Sequence, residues 1–531
     1  MMKKGYTFLF MLCYICTSIV MTAQEDVNIS TGVFFEGEPY LKVNPENPNH
    51  LVVAWMGYVN ASQNLKIKVR TSFDGGITWS PITQIENANP NYTSADPSIA
   101  FHPSGDVLIA FIDWTGTDAD VLLGGIYYSR SLDGGLTFGS PVEVLNLDVM
   151  PDQKIIDRPW MVIDRSNTNT AGNIYITSMN AKDAAPEYHP FISTSTDNGN
   201  SFSLATIDGE NWLSGDFVTS PMPTPTVQNN GVLHVIYPSL VFSQNTMAQY
   251  ILASSSDGGT TFNYQSVFAS NESASNNDPL PKKGYLLQKD PSDNNHIAFF
   301  FPSNVNDDLD IYFTETFDAG ANWSNPTRIN DDPIANDRLQ DLVWADFNET
   351  GDLIVTWRDR RNAPESGYET ASEIWAAYRP NGSNTFESNF QITDETVAYN
   401  EVLALAGNDF MSVQLVDQIV HTTWGDTRTG TLKIWYQRSD TEGNLLSLDD
   451  IANKQESQFV FPNPANTHVT IHIENWTELT VYSLDGKKIE LIKNNTQGID
   501  NVINIAHLKK ATYLFEIKTS SGKYQQKVIK L

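Results

Sequence analysis

Apolar and polar positions alternate in short runs along most of the chain, and the runs come in sets of four. One set occupies residues 96–101, 107–112, 125–130 and 141–144, with the turn Pro103-Ser-Gly-Asp106 between its first two runs. Short β-rich runs bounded by Gly, Pro, Asn and Asp predict antiparallel strands. Runs at 38–43 and 51–55 open an earlier set, runs at 158–163 and 173–177 a later one, and further sets open near 223, 285, 339 and 401.

Every set carries a turn before its last run. It reads Ser72-Phe-Asp-Gly-Gly-Ile-Thr-Trp79, then Ser131-Leu-Asp-Gly-Gly-Leu-Thr-Phe138, then Ser195-Thr-Asp-Asn-Gly-Asn-Ser-Phe202. Ser255-Ser-Asp-Gly-Gly-Thr-Thr-Phe262 and Thr316-Phe-Asp-Ala-Gly-Ala-Asn-Trp323 follow, with worn copies at 379–386 and 437–444. A period of about 60 residues marks a repeat architecture. The Asp side chain bonds nearby backbone N–H groups, Gly takes φ > 0, and the aromatic residue pins the turn to the sheet. Asp74, Asp133, Asp197, Asp257 and Asp318 are therefore read as structural.

Four strands per repeat describe a propeller blade. The expected fold is all-β: a seven-bladed β-propeller over residues 24–450, or a six-bladed one if the worn last copy is not a full blade. Few residues follow Asn444 to make an outer strand. Val27-Asn-Ile-Ser30 is expected to supply it, closing the ring and removing its sheet edges.

The flanks differ. Residues 1–23, with Lys3 and Lys4 before an apolar run, read as a signal peptide. Both cysteines, Cys13 and Cys16, lie in it, so the mature chain has no disulfide, thiolate metal site or cysteine nucleophile. Residues 451–458 read as a linker and 459–531 as a small β-sandwich. The net charge of −30 argues against nucleic acid or an anionic membrane as partner and for a soluble monomer. After the signal segment no stretch is long and apolar enough to span a membrane.

The tail carries Phe461-Pro-Asn-Pro464, then Val481-Tyr-Ser-Leu-Asp-Gly-Lys487, then a lysine-containing apolar run at its end. It resembles the type A C-terminal sorting domain of the type IX secretion system of Bacteroidetes. That resemblance implies export across both membranes, the secretion machinery as partner, and a secreted or cell-surface location. The recurring turns resemble the Asp-boxes (BNR repeats) of sialidases and related β-propellers. This implies a sialidase-like propeller directed at an extracellular glycan or polysaccharide, with its pocket on the face opposite the boxes, at the central channel.

That face carries the starts of the innermost strands and the loops between second and third strands. Glu38, Asp96, Asp157, Arg158, Asp337 and Arg338 stand at the former. Asp113 and the runs Trp357-Arg-Asp-Arg-Arg361 and Trp424-Gly-Asp-Thr-Arg428 stand at the latter. Arginine's planar fork binds carboxylates bidentately. Arg158, Arg338, Arg358, Arg360, Arg361 and Arg428 are therefore the substrate-binding candidates, with Trp160 as a stacking surface. Asp96, Asp113, Asp157 and Asp359 are the candidate general acids or nucleophile-activating groups. Asp–Arg pairs at repeated positions also serve to tie neighbouring blades together, which is the competing structural role.

The first innermost strand reads Gly37-Glu-Pro-Tyr40, where sialidases carry an arginine, and the nearest likeness to their motif is Asp157-Arg-Pro-Trp160. Three functions follow: a sialidase-type exo-glycoside hydrolase, a non-catalytic glycan- or protein-binding surface propeller, and a polysaccharide lyase. No cofactor is implied. The nine histidines form no metal pair on one element, and Asp307, Asp308 and Asp310 are oxygen donors of the kind a structural Ca²⁺ would use.

Overall fold

A computed structural model describes residues 26–446 and 460–531, apart from 33, 60–63, 118–119, 182–183, 185–186, 216–217, 219–220, 245–246, 270–283, 404–407, 474–475, 484–486, 495–499 and 520–522. The signal segment 1–23 and the linker 451–458 lie outside the described residues. The chain divides into two compact units, 1–445 and 446–531. Among the described residues helix is confined to two three-residue 3₁₀ turns, and no helix is long and apolar enough to cross a membrane.

The first unit is a ring of four-stranded antiparallel sheets, the blades of a β-propeller. The first blade runs outward through Glu36–Asn44, Asn47–Tyr58, Leu65–Ser72 and Thr83–Gln84. Five sheets follow on the inner strands Thr93–Phe101, Ile155–Ile163, Thr224–Val227, Leu286–Lys289 and Gln340–Phe347. A further sheet joins Ser412–Val416, Ile419–Asp426 and Lys433–Asp440 to Val27–Asn28, with Val27 opposite Tyr436. Each inner strand packs on the next, and the last packs on the first. The N-terminal strand thus completes the last sheet as its outer strand and closes the ring.

The recurring turns join the blades as well as closing on themselves. In the first, Ser72 Oγ donates to Asp74 Oδ1 (2.8 Å) and accepts from Gly76 N (2.8 Å), and Thr78 N donates to the same Asp74 oxygen (2.9 Å). The hydroxyl and backbone N–H of Ser201, then Ser195, hold the Asp197 carboxyl down at about 2, and Asp257 and Asp318 are held likewise. A depressed carboxylate stabilises the fold above its ordinary value of 3.8 and loses that contribution as pH falls towards about 2. The glycine two residues after the Asp in each of the five clear turns (Gly76, Gly135, Gly199, Gly259 and Gly320) lies against the preceding blade. A Cβ on Gly199, whose φ is +88°, would fall 2.3 Å from Tyr128 Oη. Gly199→Ala is expected to cost about 1–3 kcal/mol in urea unfolding; an unchanged midpoint would show that this contact carries no stability.

The second unit is a sandwich of a three-stranded sheet (Val460–Phe461, His468–His472, Asp500–Asn504) and a four-stranded one (Lys488–Lys493, Glu478–Ser483, Ala511–Lys518, Lys523–Lys530). Val469, Ile471, Leu479, Val481, Phe515 and Val528 form its core.

Candidate functional site

The inner strands do not enter the channel straight. In the first, second, third and sixth blades the register slips near the strand start, between Gly37 and Tyr40, Ala95 and Ser98, Asp157 and Trp160, and Asp341 and Trp344. At each slip one residue has positive φ: Glu38 (56°), Asp96 (53°), Arg158 (50°) and Leu342 (57°). Proline follows the first three, and lacking an N–H it needs no ladder partner at a bulge. Positive φ at a residue with a Cβ costs about 1–3 kcal/mol, and such strain gathers at functional sites. The bulges bring Glu38, Asp96 and Arg158, from three successive blades, to one cavity.

That cavity, about 560 Å³, is also lined by Asp157, Asp409, Tyr58 and Trp114. Arg158 is buried within it and donates through Nη2 to Asp409 Oδ2 (2.5 Å). Its backbone N–H donates to Asp96 Oδ2 (3.2 Å), and its guanidinium lies over the Phe410 ring, 5.6 Å from the centroid. Burial works against its charge, but Asp409, then Asp157, Asp96 and Glu38, hold it protonated. Glu38 is only 4% exposed, and its Oε2 finds no hydrogen-bond partner among the described residues. Burial first, then the neighbouring Asp96 charge and a hydrogen bond with Asp96, push the Glu38 carboxyl well above the usual carboxylate range. A bond between two carboxyls requires a proton on one of them, and Glu38 is the group that holds it.

Two residues further along the inner strands, aromatic rings block the channel. Tyr40 and Trp160 each pack against Trp344 with centroids 5.5 Å apart, and Trp160 meets Phe410 at 6.1 Å. Trp160 belongs to this buried plug, and it lines a second cavity of about 620 Å³ on the far side rather than the one holding Arg158.

The other sequence candidates lie elsewhere. Asp113 is fully buried and accepts from Ser94 Oγ (2.9 Å), Asn87 Nδ2 (3.1 Å) and Ala88 N (2.5 Å), pinning the connection between the first two blades. Burial pushes it up to about 6 despite these bonds. The two Trp-x-Asp-x-Arg runs adopt one arrangement. Trp357 Nε1 donates to Asp359 Oδ2 (2.7 Å), Arg361 Nη2 donates to the same oxygen (2.8 Å), and the guanidinium stacks 4.0 Å over Trp375. Trp424, Asp426, Arg428 and Trp435 repeat it, with the guanidinium 4.4 Å over Trp435. Each arginine then reaches further acids: Arg361 to Asp331 (2.7 Å) and Arg428 to Asp394 (2.5 Å), both in connections outside its own sheet, and Arg428 also to Asp26 (2.8 Å), next to the closing strand.

Arg338 precedes the sixth inner strand instead of opening it, and donates to the carbonyl of Ala363 (2.9 Å). The position equivalent to Asp157 in that blade is Asp341, which the sequence does not advertise. Asp341 accepts two bonds from Arg358 (2.7 and 2.5 Å) and one each from Arg360 (3.2 Å) and Tyr368 (2.8 Å). Asp308 and Asp310 are bonded to Asn336 N (3.0 Å) and to Asn330 Nδ2 (2.7 Å). Among the described residues no three acidic, His or Cys side chains are placed to hold a metal ion.

The comparisons divide along the two units. Residues 459–531 match the family described as the secretion system C-terminal sorting domain, so this unit is a sorting domain and indicates export to the cell surface or beyond. The propeller is similar to several solved structures. One is NanB sialidase from Streptococcus pneumoniae, at 12% identity over 78% of this chain and 70% of that one, with a TM-score of 0.39. A second is the α-L-arabinanase of Penicillium chrysogenum, at 14% identity over 80% and 100%, with a TM-score of 0.43. A third is the GH93 α-L-arabinofuranosidase of Fusarium graminearum, at 13% identity over 79% and 98%, with a TM-score of 0.42. No activity follows from likenesses at this level. No curated protein matches the chain.

Proposed function

We propose that the protein is an exported glycoside hydrolase acting on extracellular glycans, with its Asp-box propeller presenting the Arg158 cavity as the active site. The observation that carries the reading is the pair of opposite carboxyl environments there. Glu38 keeps its proton beyond the usual range, while Asp409 is paired with the Arg158 guanidinium at 2.5 Å. Carboxyl groups in such different environments divide the roles of glycosidic cleavage. Glu38 donates its proton to the glycosidic oxygen as the bond to the anomeric carbon breaks. Asp157 or Asp409 faces the positive charge that develops on the sugar, and water completes the hydrolysis. Asp96 positions the Glu38 proton and, through the Arg158 N–H, the arginine itself.

A carboxylate-clamping role for the arginines has less support. Arg358 and Arg360 are engaged by Asp341, Arg361 by Asp359, Arg428 by Asp426, and Arg158 by Asp409. The reading is therefore of a glycoside hydrolase without commitment to sialic acid. A binding-only propeller is the second reading, favoured by the mutual satisfaction of Arg158, Asp96 and Asp409.

The test is release of sugar by the full chain from a panel of sialosides, arabinans and amino-sugar glycans, with Asp157→Asn and Asp409→Asn beside it. Turnover of at least one substrate, falling about 100-fold or more in one of the two variants, is expected. Binding without turnover across the panel would replace the hydrolase by the binding propeller.

A further inference from the structure

We infer that His296 is a protonated cross-brace between the fifth and sixth blades, and that losing its proton on the alkaline side releases that seam and loosens one wall of the far cavity. The brace is separate from the Arg158 cavity and independent of the hydrolase reading. His296 directly precedes Ile297–Ser303, the second strand of the fifth blade. Its Nδ1 lies 2.8 Å from Asp290 Oδ2 and its Nε2 2.9 Å from Glu315 Oε2. A carboxylate only accepts hydrogen bonds, so an imidazole bonded to one on each side needs hydrogen on both nitrogens and carries a charge. Glu315, on the third strand of the fifth blade, accepts two further bonds from Arg379 of the sixth, through Nη1 (2.9 Å) and Nη2 (2.7 Å). Asp290 is held by the N–H and the hydroxyl of Ser292, both at 2.7 Å, and the carbonyl of Asp293 accepts from His296 N (3.1 Å). The side chains of His296, Asp290 and Arg379 are no more than 6% exposed, that of Glu315 13%. Two cations and two carboxylates therefore form a neutral, buried chain from one blade to the next.

The first blade holds a built-in reference. His50 has the same place there: its ring stacks on Phe73 at 4.7 Å and meets Phe101 edge-on at 5.2 Å, as His296 stacks on Phe317 at 4.3 Å and meets Phe347 at 5.2 Å. The bonding differs. Asn44 Nδ2 donates to His50 Nδ1 (3.1 Å), and His50 Nε2 donates to the carbonyl of Gly134 (2.8 Å), a pattern that a single ring hydrogen satisfies. Burial holds His50 below its ordinary value of 6.5. Burial opposes the charge on His296 as well, but Asp290 and then Glu315 keep it above that value. Burial likewise works against the Glu315 charge, yet His296 and then Arg379 bring Glu315 down to about 2, so the proton sits on the ring. Deprotonation leaves one ring nitrogen facing a carboxylate with no hydrogen between them, and a negative charge in the seam without its partner, which is costly when buried. A histidine raised in the folded state adds stability that is complete below 6.5 and is lost as pH rises through the folded value. The connection that the proton holds carries Pro291, and Lys289 precedes it; both line the cavity beyond the aromatic plug.

The experiment follows the histidine ring signals of the full chain by NMR across the neutral and alkaline range, beside amide hydrogen exchange at the same pH values. Phe317 is 62% exposed, so Phe317→Leu leaves the fold standing and assigns the His296 signal by removing the ring stacked on it. His296 is expected to lose its proton above 6.5 and His50 below it. Exchange protection of residues 290–303, taken relative to the equivalent span 44–57, is expected to fall about tenfold for each unit by which the His296 proton had been held above 6.5. In His296→Gln that pH dependence is expected to vanish. Titration and exchange are both read on the wild-type chain, so the result stands even where His296→Gln does not fold. A His296 midpoint at or below 6.5, or a protection ratio that stays constant through the titration, overturns the inference.

Discussion

Asp341→Ala is expected to destabilise the propeller by about 3–5 kcal/mol, because it strands two buried cations. Arg358 is 6% exposed and Arg360 2%. Both guanidinium groups bond to Asp341, Arg358 in a bidentate fork, and Tyr368 adds its hydroxyl. Burial opposes ionisation of Asp341, yet Arg358 and then Arg360 hold it far below the usual carboxylate range. The stabilisation is therefore present above the ordinary value of 3.8 and is lost as pH falls below it. Urea unfolding at neutral pH measures the cost. A loss under about 1 kcal/mol would mean that the pair is as weak as a surface ion pair. Replacing the pair's members together, as Asp341→Leu with Arg358→Met, is expected to cost less than Asp341→Ala alone, since no charge of that pair is then left facing a vacancy.

Glu38→Gln is expected to lower kcat/KM by about 10²- to 10⁴-fold, the range that a positioned general acid contributes. The same substitution leaves the fold intact, because glutamine matches the shape of a protonated glutamate that Asp96 and burial already keep neutral. Linkage separates the two effects. A carboxyl raised above its ordinary 4.5 adds stability that is complete below that value and is lost as pH rises through the folded value. Wild-type stability should thus decline on the alkaline side of 4.5 where Glu38→Gln stays flat, and unfolding curves at several pH values measure it. Parallel curves would show that Glu38 ionises in the ordinary range and has no special proton to give.

Much of the propeller can be read from local chemistry. The Ser72, Asp74 and Gly76 turn is made within five residues, so its hydrogen bonds repeat wherever its letters do. The closing strand at Val27 follows from counting runs, since a fourth strand had to come from somewhere. The site is less legible because its partners are distant in sequence. Arg158 and Asp409 lie 251 residues apart, and no motif surrounds Asp409. The Trp-x-Asp-x-Arg echo is visible, but Asp331, Asp26 and Asp394, which occupy its arginines, lie far from them in sequence. Bulges defeat simple alternation as well. They insert a residue at Glu38, Asp96, Arg158 and Leu342, so period-two reasoning carried from the strand body misplaces side chains at its start. Asp337 and Arg338 look like the counterparts of Asp157 and Arg158, whereas the sixth strand starts later and puts Asp341 and Leu342 there.

The most direct measurement of the central claim compares wild type and Glu38→Gln on two glycosides of one sugar, one with a poor alkyl leaving group and one with a good aryl leaving group. An alkoxide needs a proton as it departs and a nitrophenolate does not. If Glu38 is the general acid, the variant loses about 100-fold or more on the alkyl glycoside and keeps most of its rate on the aryl one. Equal losses on both, or no loss on either, would contradict the assignment of catalysis to the Glu38 and Arg158 cavity.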